Sequence, residues 1–420
     1  MKRIDGASPE AFASDFVPVP ILDVDLDDRI EPPALCGQVR FLVRRGGVPV
    51  GFLPFSVTER HRQLDDLRPE IKAALPALAD VLTPATAGVG RAPGSAVRSP
   101  LTVSVVVTAC EPSPGLLGTL RGVLQQSHPA DEIILVDNRP ETSGLAEFLA
   151  ESDLPGVRLL ASPRPGVSHA RNDGLAHARG DIVAFTDDDV MIDANWLGNI
   201  AAAFTDDSVG CVTGLVLPWE LETPAQALFE QFGGFAKGYR RKVFEIGSIG
   251  EGALYPYCAG IFGTGANCAF RAESLRAVGG FDAHLGTGTP ALGGEDLDIH
   301  LTMIRSGYRL VYEPGALIRH RHHRAYPDLR RQVFTYGAGL SAMLTKRWVS
   351  DGAERREIAA RILPGMRHLL SPESEKNAAK TDSYPLVLTF AELLGICIGP
   401  FAYCYSRLCA RFGGRNSSRR

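Results

Sequence analysis

From Leu101 to Phe204 the chain repeats one rhythm: a short run of β-branched and aliphatic residues, a polar turn, then a stretch with helical spacing. LTVSVVVTA precedes LLGTLRGVLQQ, EIILVDN precedes GLAEFLAES, VRLLAS precedes SHARNDGLAHA, and DIVAFTDDD precedes NWLGNIAAAF. A strand such as SVVVTA, with no polar alternation, is apolar toward both faces and reads as a parallel strand buried between two layers. Repeated βα units of this kind predict an α/β fold, a sheet flanked by helices, whose ligands bind beyond the carboxyl ends of the strands. Cys110-Glu111, Asp137-Asn138 and Asp187-Asp188-Asp189 each follow such a strand end, so the rule gathers them on one crevice. No internal repeat of solenoid period interrupts the pattern.

The chain has 420 residues, 45% hydrophobic and 22% charged, enough to bury a large core in one big domain with appendages or in two domains. Its net charge of -4, with no stripe of basic and aromatic residues, gives no reason to expect nucleic acid as a partner. The eight cysteines form no C-x-x-C pair and no zinc-like spacing, which predicts scattered reduced thiols. The opening MKRIDGASPEAFASDF lacks the apolar stretch of a signal peptide, so the main body is expected in the cytoplasm. Three zones are expected: an N-terminal α+β appendage over 1–98, a catalytic domain over 99–330 and a C-terminal helical region over 331–420. The appendage contains QVRFLVRRGGVPVGFLPF, a strand pair turning at Gly46-Gly47, and a helix-like stretch RPEIKAALPALADVL.

Two acidic clusters carry the chemistry. Three adjacent carboxylates after a buried strand repel one another, so Asp187-Asp188-Asp189 invites a hard divalent cation with oxygen ligands. Residues i and i+2 of an extended segment point the same way, which pairs Asp187 with Asp189 and leaves Asp188 facing elsewhere or meeting a ribose. The competing reading is a helix N-cap, for which one Asp suffices. About a hundred residues on, Glu295-Asp296 in GGEDLD supplies a candidate base, or else only the ordinary acids of a helix's first turn. Asp298, two residues further, reads as solvent-facing or structural. A metal holding a diphosphate leaving group and a carboxylate deprotonating an incoming hydroxyl are the parts of a glycosyl transfer.

Several motifs in order then carry a family likeness: VSVVVTACEPSPGLLGTLRGVLQQ, DEIILVDN, GVSHARNDGLAHARGDIVAFTDDDV, GTGANCAFRAESLRAVGGFD, GGEDLDIHLTMIRSGYRLVYEP and IRHRHHR. From about Leu101 to about Arg324 the chain resembles the inverting family 2 glycosyltransferases, which have the GT-A nucleotide-sugar fold, a Rossmann-like mixed sheet flanked by helices. The resemblance implies that Thr108, Cys110 and Glu111 cradle the nucleotide, Asp137 meets its base or ribose, and Arg171 its phosphates. It implies Asp187 and Asp189 as ligands of manganese or magnesium, with Asp188 beside the nucleotide and His320, ahead of His322, completing the metal site. Asp296 is implied as catalytic base and Glu295 as its neighbour orienting the acceptor. The glycine-rich FGTGANCAF resembles the loop that approaches the donor sugar, and a UDP-sugar is the favoured donor.

Rival readings are a nucleotidyltransferase, a retaining transferase on the same fold, and a non-catalytic sugar-binding relative. A P-loop enzyme is excluded, because no G-x-x-x-x-G-K-[ST] occurs. The acceptor hydroxyl, on a glycan, a lipid-linked molecule or a peptide, is not named by the residues. Trp219, Phe232, Phe235, Tyr239, Arg240 and Arg241 supply aromatic faces and cations that would suit it, or simple packing. Near the end, 385–409 is strongly apolar, with Glu392 as its one charge before Arg407, but contains Gly395, Gly399 and Pro400. An interfacial element, a spanning helix and a buried helix all fit, and the arginines that follow suit an anionic membrane surface.

Overall fold

The computed structural model describes residues 16–28, 37–57, 64–75, 101–247, 252–374 and 376–413. An N-terminal three-stranded sheet comes first: β1 (Ile21–Asp25) pairs in parallel with β2 (Gly37–Arg45), which turns at Gly46-Gly47 into antiparallel β3 (Val48–Val57). Both turn glycines have positive φ, 56° and 80°, as a two-residue hairpin requires. Helix α1 (Leu64–Ala74) begins four residues before the expected Arg68 and carries Pro69 inside it; the remainder of RPEIKAALPALADVL beyond Leu75 lies outside the described residues. This unit is tied to the rest by ion pairs, Arg44 to Asp193 at 2.8 Å and Arg319 to Asp23 at 2.8 Å.

The βα rhythm becomes a nine-stranded mixed sheet. Its elements are β4 (Val103–Ala109), α2 (Pro114–Leu124), β5 (Glu132–Asp137), α3 (Leu145–Glu151), β6 (Val157–Ala161), α4 (Val167–His177) and β7 (Ile182–Thr186). There follow β8 (Val190–Ile192), α5 (Trp196–Ala203), β9 (Val209–Pro218), α6 (Pro224–Phe232), β10 (Lys242–Phe244), β11 (Asn267–Arg271), α7 (Ala272–Ala277), α8 (Glu295–Arg305) and β12 (Arg309–His320). The strand order is β10-β12-β9-β11-β7-β4-β5-β6, with β8 on β12. Strands β7, β4, β5 and β6 are mutually parallel, whereas β11 runs antiparallel between β7 and β9. Along β4, Val105 and Val107 enter one hydrophobic core and Val106 the other, all fully buried. That two-sided burial is why the strand reads as unbroken apolar sequence.

Three long helices follow: α9 (Tyr326–Ser350), α10 (Gly352–Leu370) and α11 (Leu386–Gly413). Pro400 and the two glycines do not interrupt α11. Gly395 and Gly399 sit where α11 meets α9: a Cβ on Gly395 would collide with the Phe334 carbonyl, and one on Gly399 with Ser341. Small residues there let the two helices approach closely, and that packing outweighs the hydrogen bond Pro400 removes.

Candidate active site

The carboxyl ends of β4, β5 and β7 lie side by side, which brings Thr108 to Glu111, Asp137-Asn138 and the Asp187 cluster to one edge of the sheet. The segment after β7 does not pass straight into a helix. It forms β8, which pairs antiparallel with the end of β12 in the register His320↔Val190 and Ile318↔Ile192. That pairing, across 130 positions of sequence from Val190 to His320, sets His320 beside the acidic cluster just before Val190. The N-cap of α5 is Asn195, so the three aspartates are not spent on capping a helix.

His320 Nε2 lies 3.4 Å from Asp189 Oδ1 and 3.7 Å from Asp187 Oδ2. Potential ligand atoms of Asp187, Asp189 and His320 all fall within 4.8 Å of one another. His320 Nδ1 contacts the Arg321 carbonyl at 3.1 Å, so with its proton on Nδ1 the ring presents Nε2 to the carboxylates, as a metal-ligating histidine does. Burial opposes charge on this imidazole, but Asp189 and Asp187 outweigh it and push it up to about 9. Burial, then Asp189 and Asp187, push the Asp188 carboxyl up to about 7. Two carboxylates, one imidazole and an unrelieved excess of negative charge fit a hard divalent cation. His322 does not share this site: it is buried and bonds Glu230 Oε1 at 2.9 Å.

Arg171 joins the two acidic clusters. On α4, only 4% exposed, it donates from Nη1 to Glu295 Oε1 at 2.9 Å, and from Nη2 to Asp187 Oδ1 at 3.4 Å and the Gly265 carbonyl at 3.2 Å. Its guanidinium also stands over the Phe281 ring, 5.5 Å from the centroid. Burial opposes its charge, yet Glu295 and Asp187 outweigh that and raise its pKa. Its donors therefore go to protein acceptors and not outward to the crevice, and Glu295 is turned inward to meet them. Burial and then Asp296 push the Glu295 carboxyl up to about 7, against the pull of Arg171. Asp296 is the half-buried member of the pair, and its Oδ2 accepts the Gly265 N–H at 2.9 Å.

The glycine loop before β11 makes its close approach within the protein. A Cβ on Gly265 would stand 2.9 Å from the Arg171 guanidinium nitrogens and 3.1 Å from Asp296 Cβ. Asp137 is buried, accepting the Arg139 N–H at 2.9 Å and the Ser143 hydroxyl at 2.5 Å, an Asx-turn at the strand end. Asn138 donates to the Ser162 and Arg164 carbonyls and accepts the Gly166 N–H, which fixes the loop entering α4. Cys110 and Thr108 are half-buried at the crevice edge and Glu111 is exposed.

What the sequence did not announce is the part played by α9. Tyr336 of α9 packs 6.4 Å from Phe235 between ring centroids, and Phe235 lies 5.3 Å from His320. Asp298, far from solvent, is ion-paired with Lys346 at 2.6 Å and Arg347 at 2.7 Å, both on α9. Gly294, the residue before α8, has φ of 87°, and a Cβ there would collide with the Gly339 carbonyl of α9. Gly294→Ala is therefore expected to destabilise the protein by more than ~1 kcal/mol, read as a lower urea midpoint; an unchanged midpoint would mean that α9 yields. The sequence predicts helices over 331–420 but not this packing of α9 against the start of α8.

A mixed sheet whose carboxyl edge gathers an Asp-x-Asp pair, a histidine and a second acidic pair is a nucleotide-sugar transferase fold of the GT-A class. Residues 104–279 match the model of glycosyl transferase family 2, so the chain carries a domain of that family. It is 30% identical over 314 residues to the pre-mycofactocin glycosyltransferase of two Mycobacterium tuberculosis strains, covering 72% of this chain and 59% of theirs. The chain thus spans about three fifths of those relatives' length. It is 24% identical over 288 residues to the O-antigen chain rhamnosyltransferase RfbN of Salmonella typhimurium, covering 67% of this chain and 83% of that one. Among solved structures, a mannosyltransferase of Pyrobaculum calidifontis in complex with GDP-Man and Mn2+ is similar at TM-score 0.46 and 19% identity, covering 73% of this chain and 87% of that one.

Proposed function

We propose that this chain transfers a sugar from a nucleoside-diphosphate donor to an acceptor hydroxyl with inversion at the anomeric carbon, and that the reaction requires a divalent metal. The observation that carries the reading is the linkage of the two acidic groups through Arg171, which holds Glu295, the neighbour of the base, at 2.9 Å and the metal ligand Asp187 at 3.4 Å. In this reading Asp187, Asp189 and His320 hold the cation. A bound cation would offset the charge of the donor diphosphate and of the nucleoside diphosphate that departs.

Asp296 accepts the acceptor's hydroxyl proton. The acceptor oxygen then bonds to the anomeric carbon as the bond to the diphosphate oxygen breaks, its electron pair leaving with the nucleoside diphosphate. One displacement from the opposite face gives inversion. Arg171 and Glu295 act as positioning residues, Thr108, Cys110, Glu111 and Asp188 line the nucleotide crevice, and Asp137, buried and bonded to Arg139 and Ser143, shapes the loop at its edge. The expected division of the chain into 1–98, 99–330 and 331–420 belongs to the same reading, with residues 99–330 catalytic and work at the inner face of the cell membrane. UDP-sugars are the first donors to test.

Calorimetric titration of the protein with a panel of nucleotide sugars, with and without Mn2+, tests the donor half. Binding is expected to depend on both the metal and the nucleobase, and Asp189→Ala is expected to lose the metal dependence. Binding indifferent to metal and base alike would sink the proposal.

A further inference from the structure

Helix α11 is long and apolar enough to cross a membrane by length and composition, yet only 28% of its most apolar window is buried. Its buried side is committed. Gly395 and Gly399 press on α9, and Glu392, buried, is held by Lys376 at 2.8 Å. The opposite side carries Leu386, Phe390, Leu394, Ile398, Phe401 and Tyr405, all exposed, with Phe390 at 68% and Phe401 at 76%. Steps of three and four residues put these side chains on a single stripe, roughly 33 Å long from Leu386 to Leu408 at 1.5 Å per residue. No exposed residue of α11 before Arg407 is charged.

Cations stand at both ends of the stripe. At its start Lys380 places Nζ 4.7 Å from the Tyr384 ring centroid, and at its end Arg407 and Arg411 are exposed. The sequence continues with Arg415, Arg419 and Arg420. We infer that α11 lies in the plane of an anionic phospholipid surface, its apolar stripe sunk among the acyl chains and the flanking cations at the headgroups. An apolar row with cationic ends is the complement of such a surface, whereas a second copy of the stripe would bring like charges together.

Spanning is incompatible with the packing on the other side. To cross the bilayer, α11 would carry the Glu392–Lys376 pair into hydrocarbon, and α9, fitted against it, bears exposed Arg330 and Arg331 and cannot follow. Lying in plane leaves every one of these contacts intact. Helix α9 is packed between the buried side of α11 and the Gly293-Gly294 turn that precedes α8, whose second residue is Asp296. On the transferase reading, α11 thereby fixes the site to the membrane through α9, with two helices between the lipid and Asp296, so that an acceptor hydroxyl borne on a lipid headgroup is kept near the base.

Flotation of the full-length protein with vesicles of phosphatidylcholine, with and without phosphatidylglycerol, tests the inference without donor or acceptor, so its failure leaves the transferase reading standing. Wild type is expected to float with the anionic vesicles. Phe390→Ser/Phe401→Ser, at two exposed positions the fold does not depend on, is expected to lower partitioning at least about tenfold. Arg407→Glu/Arg411→Glu is expected to weaken binding to the anionic vesicles more than to the neutral ones. Wild type that stays unbound, or a serine variant that binds like wild type, overturns the inference. So does a wild-type dimer by light scattering that the serine substitutions dissolve without any flotation, since the stripe would then cover a second copy. Resistance of cell-membrane-bound protein to alkaline carbonate extraction would overturn the in-plane placement in favour of spanning.

Discussion

Asp296→Asn is expected to leave metal-dependent donor binding close to wild type and to slow transfer by about 10²- to 10⁴-fold, the usual contribution of a positioned base. The substitution is nearly isosteric, and an amide oxygen can still accept the Gly265 N–H that Asp296 accepts at 2.9 Å, so the loop around Arg171 should keep its shape. What is lost is the ability to take a proton. The measurement pairs calorimetric donor binding with the rate of product formation on a cell-derived acceptor fraction. Transfer within a few fold of wild type would remove Asp296 from the role of base; loss of donor binding as well would make it part of the donor site instead.

Arg171→Met is expected to cost stability as well as activity. Removing one partner of a buried ion pair leaves an uncompensated charge and typically costs ~3–5 kcal/mol, and here the orphaned group is Glu295, with Asp187 next to it. The loss has a direction with pH. Glu295 is already pushed up to about 7 by burial and then by Asp296, whereas an unfolded glutamate ionises near ~4.3. The native state therefore holds its proton more tightly, and the stability this group contributes is present at low pH and falls as pH rises from ~4.3 through about 7. Without the guanidinium the carboxyl rises further. The deficit of the variant in urea unfolding should accordingly be larger at about pH 8 than at about pH 5. A deficit below ~1 kcal/mol at the higher pH would show that Arg171 does not neutralise the two clusters.

Both variants act on features that differ in how far the sequence reveals them. The β4, β5 and β7 strands and the position of Asp137 and the Asp187 cluster at their ends were legible, because two-sided burial writes itself as unbroken aliphatic runs and ligands follow strand ends. Strand β8 was not legible. Three residues, Val190 to Ile192, carry too little periodicity, and their pairing with β12 is a contact across more than a hundred positions. The motif order suggested His320 ahead of His322, but only the β8–β12 register explains the choice, since it puts one histidine against the carboxylates and sends the other to Glu230. Likewise Pro400 and two glycines suggested a broken segment, whereas the close fit to α9 keeps α11 whole.

By itself the sequence determined the kind of sheet, the edge on which a ligand must sit and the acids available there, since those follow from local periodicity and from the placement of side chains at strand ends. Only the tertiary structure decided how those acids divide. Burial turns Glu295 inward to Arg171 and leaves Asp296 half-exposed, although the two are neighbours in the chain. The reason is electrostatic: a guanidinium 4% exposed must be met by carboxylates from wherever the fold can bring them, and here they come from the ends of two elements 124 and 16 positions away.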